Sequence, residues 1–183
     1  MWIKLLVFLL GSAGIILFSR RSLKRKISHG LYRFFAFEFM LALVLLNWKD
    51  WFYDPFSFRQ ILSWLMLITC TILPLEALTR FIVSGKPGPE REDDTLIGFE
   101  KTTQLITTGS YRYIRHPMYT SLLLFTWGAF LKGYDWISTA LALMASIFMI
   151  LCVLQEEKEN LLYFGDTYRE YMKKTKRFIP FLI

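Results

Sequence analysis

The sequence predicts an all-α integral membrane bundle of about five transmembrane helices, with a C-terminal helical hairpin and an amphipathic cytoplasmic tail helix. Three observations carry that reading. Of the 183 residues, 54% are hydrophobic and 17% aromatic, and the mean hydropathy of +0.36 lies above the usual soluble range. Five apolar runs follow one another along the chain. Positive charge, finally, falls almost wholly on one side of those runs once the connections are assigned alternately to the two faces.

The first run, "LLVFLLGSAGIILF" (5 to 18), contains the small residues Gly11, Ser12, Ala13 and Gly14. It is read as a retained span rather than a cleaved leader, because the apolar stretch continues past them and ends at "SRRSLKRK". The second and third runs, 31 to 48 and 61 to 78, approach the roughly 20 residues that cross a hydrocarbon core of about 30 Å. The fourth, 118 to 131, is shorter, as is the first.

Between the third and fourth runs lies a long polar connection, 84 to 116. It opens with Gly85, Pro87, Gly88 and Pro89, then carries the acidic cluster Glu90, Glu92, Asp93 and Asp94. Its apolar members Leu96, Ile97, Phe99, Leu105 and Ile106 favour a segment packed on the bundle or membrane face, since connections of this length in compact proteins are usually functional or disordered. Pro117 suits the first turn of a helix, where its missing N–H costs nothing. The connection "LKGYD" (131 to 135) leaves room only for a tight turn, so the fourth run and the fifth, 136 to 154, form an antiparallel hairpin. Beyond it, Leu161, Phe164, Tyr168 and Tyr171 recur at helical spacing before Lys173, Lys174 and Lys176, the pattern of an amphipathic helix at an anionic membrane surface.

Residues 1–183 thus read as a single membrane domain. Three N-terminal spans (1–83) shape the substrate side, and 84–183 supply a cofactor-binding loop, the hairpin and the tail helix. The net charge of +7 does not indicate nucleic acid, because seventeen lysines and arginines gather on one face. Only Lys4, Lys49, Arg59 and Lys132 fall on the other, with Arg33 set aside inside the second run. The positive-inside rule then places the N-terminus outside and the C-terminus in the cytoplasm.

Several chemistries are excluded by what the chain lacks. There is no G-x-G-x-x-G and no P-loop. His29 and His116 are the two histidines, too few for a histidine-rich metal centre, and Cys70 and Cys152 fall inside separate apolar runs. No Ser-His-Asp order stands out. The informative feature is a convergence: the hairpin brings Arg112, Arg115, His116 and Tyr119 to face Glu156, Glu157 and Glu159 at the cytoplasmic surface. Each residue alone is as well read as an interfacial anchor. The run "RHPMY" opposite "EE" is not, because anchoring requires neither a histidine nor a carboxylate pair, and ionisable clusters at membrane depth are functional by default.

"LITTGSYRYIRHPMY" (105 to 119), then "EEKENLLYFGDTYREY" (156 to 171) and "RFIP" (177 to 180), resembles the isoprenylcysteine carboxyl methyltransferases and the phospholipid methyltransferases. The resemblance implies an S-adenosylmethionine-dependent integral membrane methyltransferase acting on a lipophilic acceptor at the cytoplasmic face, in a multi-pass protein of a prokaryotic cell membrane. It implies that the cofactor is held by Thr103, Gln104, Leu105, Ile106, Tyr111, His116, Pro117, Met118, Tyr119 and Glu156. Glu157 is then the nearest base, should the acceptor be an amine. One position departs from the pattern: the prenylcysteine enzymes carry an arginine one turn before the glutamate pair, where this chain has Cys152. Arg115 or Arg112 stands as its substitute. The same departure raises the alternative of an aminophospholipid N-methyltransferase. Less well matched are an NADPH-dependent sterol-type reductase, whose version of the motif Met118, Thr120 and Ser121 do not follow, and a non-enzymatic scaffold.

Overall fold

The long helices begin where a short polar side chain can satisfy their first free amides. After α1 (Trp2–Ser19), α2 (His29–Leu46) is capped by Ser28, whose hydroxyl accepts from the Leu31 amide at 3.2 Å. Ser57 plays the same part for α3 (Phe58–Ser84). Asp135 caps α5 (Trp136–Phe164), accepting from the Ser138 amide at 2.6 Å. Pro117 occupies the first turn of α4 (Pro117–Phe130), and α6 (Asp166–Lys174) follows α5 after Gly165, whose φ of +59° breaks the helix. Short 3-10 turns lie at Ser22–Lys24, Asn47–Asp50 and Gly109–Arg112. This computed structural model describes residues 2–24, 27–86, 88, 96 and 101–182, so the acidic cluster Glu90, Glu92, Asp93 and Asp94 lies outside the described residues.

The bundle is all-helical, as the sequence predicts. Among the described residues, four helical stretches, Trp2–Ser19, His29–Asp50, Phe58–Ser84 and Trp136–Phe164, are long and apolar enough to cross a membrane. The fourth run forms a helix of 14 residues, about 21 Å long, which is shorter than a hydrocarbon core. In contrast, α5 continues ten residues past the end of its apolar run. Hydropathy marks where a helix meets lipid and says little about where it continues into a polar interior.

Small residues let the helices approach. Ala36 on α2 and Ala142 and Ala145 on α5 are fully buried, and Met40, Met149 and Val153 fill the space around them. At Gly128 on α4, a Cβ would lie 3.0 Å from Leu67 Cγ of α3, and Ser63 Oγ donates to the Gly128 carbonyl at 2.7 Å. α1 is joined to α2 by Ser12 Oγ donating to Glu38 at 2.5 Å, and it turns most of its large apolar side chains outward.

A polar knot fixes the end of the bundle at the α4–α5 turn. Asn47 Nδ2 donates to the Ala129 carbonyl at 2.9 Å and Asn47 Oδ1 accepts from Ser138 at 2.8 Å. Gln60 Nε2 donates to the Asp50 and Tyr53 carbonyls, while Lys132 Nζ donates to Gln60 Oε1 at 2.8 Å and sits 3.5 Å from the centre of the Trp64 ring. At the opposite end the chain folds back on itself. Residues 113–116 pair in parallel with 176–177 through Arg115 N to Lys176 O (2.7 Å), His116 N to Arg177 O (3.1 Å) and Lys176 N to Tyr113 O (3.1 Å). The site is built here.

Candidate functional site

The segment leading into α4 is anchored to α3 before it reaches the site. Glu76 accepts from the Ser110 amide (3.3 Å) and hydroxyl (2.5 Å) and from Arg80 Nε (2.9 Å). The close approach requires Gly109, which has φ +64° and where a Cβ would fall 2.0 Å from Glu76 Oε1. Tyr111 is thereby turned inward against Phe81, ring centres 5.6 Å apart, and its carbonyl accepts from Tyr171 of α6 at 2.6 Å.

These contacts bound a cavity of about 380 Å³, within the range of small-molecule sites. One wall is polar. Tyr119 donates to Glu156 Oε2 at 2.5 Å, and His116 Nδ1 lies 3.9 Å from Glu156 Oε1. Tyr111, Phe164, Tyr168 and Tyr171 also line the cavity. Burial pushes the Tyr168 and Tyr171 phenols well above their ordinary value, so both remain neutral donors. The other wall is apolar, drawn from Phe37 of α2, Cys70 and Pro74 of α3, and Leu122 and Phe125 of α4.

Of the residues singled out in the sequence, Leu105, Ile106, Tyr111, Arg115, His116, Met118, Tyr119 and Glu156 line this cavity. Thr103 and Gln104 do not: their amides bond the Gly85 carbonyl and the Thr103 hydroxyl donates to Lys86 O, leaving Thr102 as the inward member of that turn. Pro117 is buried but serves the start of α4 rather than the cavity wall. Arg112 is exposed, 5.8 Å from the centre of the Tyr113 ring, and so does not replace a missing arginine in the site.

Glu157, the base expected from the sequence, is not among the cavity-lining residues. It is buried and faces away from the cavity, accepting from Arg115 Nε at 2.8 Å and from Arg177 Nε at 3.0 Å. His116 Nε2 is 3.4 Å from its Oε1. Arg115 also donates to the Met172 carbonyl at 3.2 Å and to the Thr175 carbonyl. Held by two guanidiniums, Glu157 ties α5 to the segment entering α4 and to the tail. The tail helix is amphipathic, as expected: Tyr168 and Tyr171 are buried against the cavity, while Lys173 and Lys174 are exposed.

Two residues were missed. Arg33, set aside as a stray charge in an apolar run, is 6% exposed and lines the cavity. His29, at the start of α2, is fully buried and bonds Glu159 through its ring, while its carbonyl accepts from Cys152 Sγ at 3.0 Å. An arginine four residues inside an apolar helix is itself the signal that could have found the first.

Residues 91–166 match the phospholipid methyltransferase family model. A protein-S-isoprenylcysteine O-methyltransferase of Schizosaccharomyces pombe is 33% identical over 79 residues, which is 43% of this chain and 34% of that one. A methanethiol S-methyltransferase 1 of Bradyrhizobium diazoefficiens is 24% identical over 119 residues, 64% of this chain and 39% of that one. The matched stretches therefore amount to little more than a third of either relative. No solved structure matches.

Proposed function

We propose that this chain, a member of the phospholipid methyltransferase family through residues 91–166, transfers a methyl group from S-adenosylmethionine to a lipophilic acceptor at the cytoplasmic face of the membrane. The carrying observation is the Tyr119–Glu156 pair, 2.5 Å apart, at the polar end of a cavity whose other wall is apolar. Such a cavity is suited to joining a polar cofactor with a lipid-soluble partner. The names of the two relatives, which give a prenylcysteine carboxylate in one case and a small thiol in the other, support methyl transfer while leaving the acceptor different in each.

The residues fit a cofactor that is cationic at its reacting atom and polar at its ends. Glu156, oriented by Tyr119, would accept from ribose hydroxyls or an ammonium group. The rings of Tyr111, Phe164, Tyr168 and Tyr171 would face the sulfonium, which an aromatic face attracts. Leu105, Ile106 and Met118 close the same end against water. When bound, the cofactor supplies a methyl group on a sulfonium, with a neutral thioether as the leaving group. The protein's task is then alignment and exclusion of water. Arg115, Glu157 and Arg177 hold the two hairpin arms and the tail in register for it.

Calorimetry of S-adenosylmethionine on purified protein, wild type beside Glu156→Gln, tests the reading. Binding lost on substitution supports it; absence of binding to wild type across several detergents and lipids removes it.

A further inference from the structure

A second cleft lies at the far end of the bundle from the methyl-transfer site, and opposite charges line it without meeting. About 310 Å³ in volume, it sits where the α4–α5 turn meets the 3-10 turn Asn47–Asp50 and the start of α3. Asp50 uses its main-chain carbonyl, which accepts from Gln60 Nε2 at 2.8 Å, but among the described residues nothing donates to its carboxylate. The close approach of Gly133, where a Cβ would fall 2.9 Å from Asp50 Oδ2, sets that carboxylate against the turn. Arg59 donates through Nη1 to the Leu131 and Lys132 carbonyls and lies 5.1 Å from the centre of the Tyr134 ring. Its Nε and Nη2 have no acceptor among the described residues. Lys132, fully buried, adds a second positive charge to the lining, its Nζ bonded to Gln60 Oε1. Asp135 is exposed, and its Oδ1 is taken by the Ser138 amide.

We propose that this cleft holds the headgroup of a phosphatidylethanolamine from the leaflet opposite the methyl-transfer site, its phosphate on Arg59 and its ammonium on Asp50. A ligand that carries both signs satisfies both residues by charge-assisted hydrogen bonds and brings no net charge. A simple anion would be repelled by Asp50, and a simple cation by Arg59 and Lys132. A choline headgroup has no N–H to donate to the carboxylate, and the Tyr134 ring that could receive it is already covered by Arg59. The surroundings point to a lipid rather than a soluble zwitterion. Trp48, Phe52, Tyr53, Tyr134 and Trp136 are exposed on and beside the same turns, and such aromatic residues gather at the headgroup level of a bilayer. This lipid is not the methyl acceptor: Asp135 caps α5 and Glu156 lies about six turns along it, about 30 Å away. The proposal does not depend on the methyl-transfer reading.

The test uses purified full-length protein in detergent micelles doped with dioleoyl lipids that differ only in headgroup: ethanolamine, choline or glycerol. The thermal midpoint is followed against the mole fraction of lipid, since a ligand of the folded state raises it. Phosphatidylethanolamine is expected to raise the midpoint at a lower mole fraction than either of the others. Asp50→Asn, which removes a charge that no described residue pairs with, should leave the midpoint without lipid unchanged and raise the mole fraction of phosphatidylethanolamine required by about tenfold. Arg59→Gln should weaken the response as well, but it also loses two main-chain contacts, so Asp50→Asn is the deciding variant. Phosphatidylglycerol acting as well as phosphatidylethanolamine would show a simple anion site and overturn the proposal. A response to phosphatidylethanolamine that is the same in Asp50→Asn would also overturn it, as an effect of the micelle rather than of the cleft. Free phosphoethanolamine stabilising the protein as well as the lipid does would overturn the lipid as the source.

Discussion

Tyr119 and Glu156, brought together from the two arms of the hairpin, meet at 2.5 Å between the phenol oxygen and Oε2. The contact does two things. It fixes which way the carboxylate points, and it leaves Oε1 directed toward His116 at 3.9 Å.

Tyr119→Phe removes the hydroxyl and keeps the ring. A hydrogen bond to a charged group is worth about 1.5–3 kcal/mol, so cofactor affinity should fall by about ten- to a hundredfold. Titration calorimetry with S-adenosylhomocysteine checks this, and an affinity equal to wild type would show that the pair does not orient the ligand.

Glu157→Gln should behave differently from Glu156→Gln. Taking the charge from Glu157 leaves Arg115, 6% exposed, without its counter-ion, and breaking a buried pair costs about 3–5 kcal/mol. The expected result is a large drop in thermal midpoint with cofactor affinity of the folded fraction largely kept. Loss of affinity at an unchanged midpoint would place Glu157 in the site after all.

Gly109→Ala meets two obstacles at once, a left-handed φ of +64° and a Cβ that would lie 2.0 Å from Glu76 Oε1. The strain of such a φ alone is of order 1–3 kcal/mol. Loss of the Glu76–Ser110 bonds should also free Tyr111, so both stability and cofactor binding are expected to fall. Glu76→Ala, which removes the clash, should recover part of the stability when combined with Gly109→Ala in a double-mutant cycle.

Burial, with Arg59 nearby, lowers the Lys132 amine to about 8. Between about pH 8 and its ordinary 10.5 the folded chain holds this lysine neutral while the unfolded chain keeps the proton. The unfolded state then binds more protons, so stability from this group rises with pH across that window. Thermal melts of wild type and Lys132→Met should diverge in that direction above pH 8, and parallel curves would count against it.

Hydropathy located the spans because lipid selects for apolar surface along a whole helix. It did not reveal that α5 stays helical to Phe164, past the end of its apolar run, or that the short α4 packs against both α3 and α5. The hairpin convergence was legible from the length of the turn at 131–135 and the two motifs. The direction in which Glu156 and Glu157 point was not, since adjacent residues on a helix differ by about 100° and only the partners decide which faces the cavity. Arg33 was hidden by counting: a charge inside an apolar run was treated as noise, although burial in a membrane protein is where a charge costs most.

Residues 175–178 pair with the segment entering α4, donate Arg177 to Glu157, and place Phe178 in the core beside Tyr119. The helices described above all precede them in the chain. A chain cut short of residue 175 would carry all of those helices and both glutamates and still have an unfinished cavity. Formation of the helices and completion of the cavity are therefore separable, and the second depends on the short stretch that ends at Phe178.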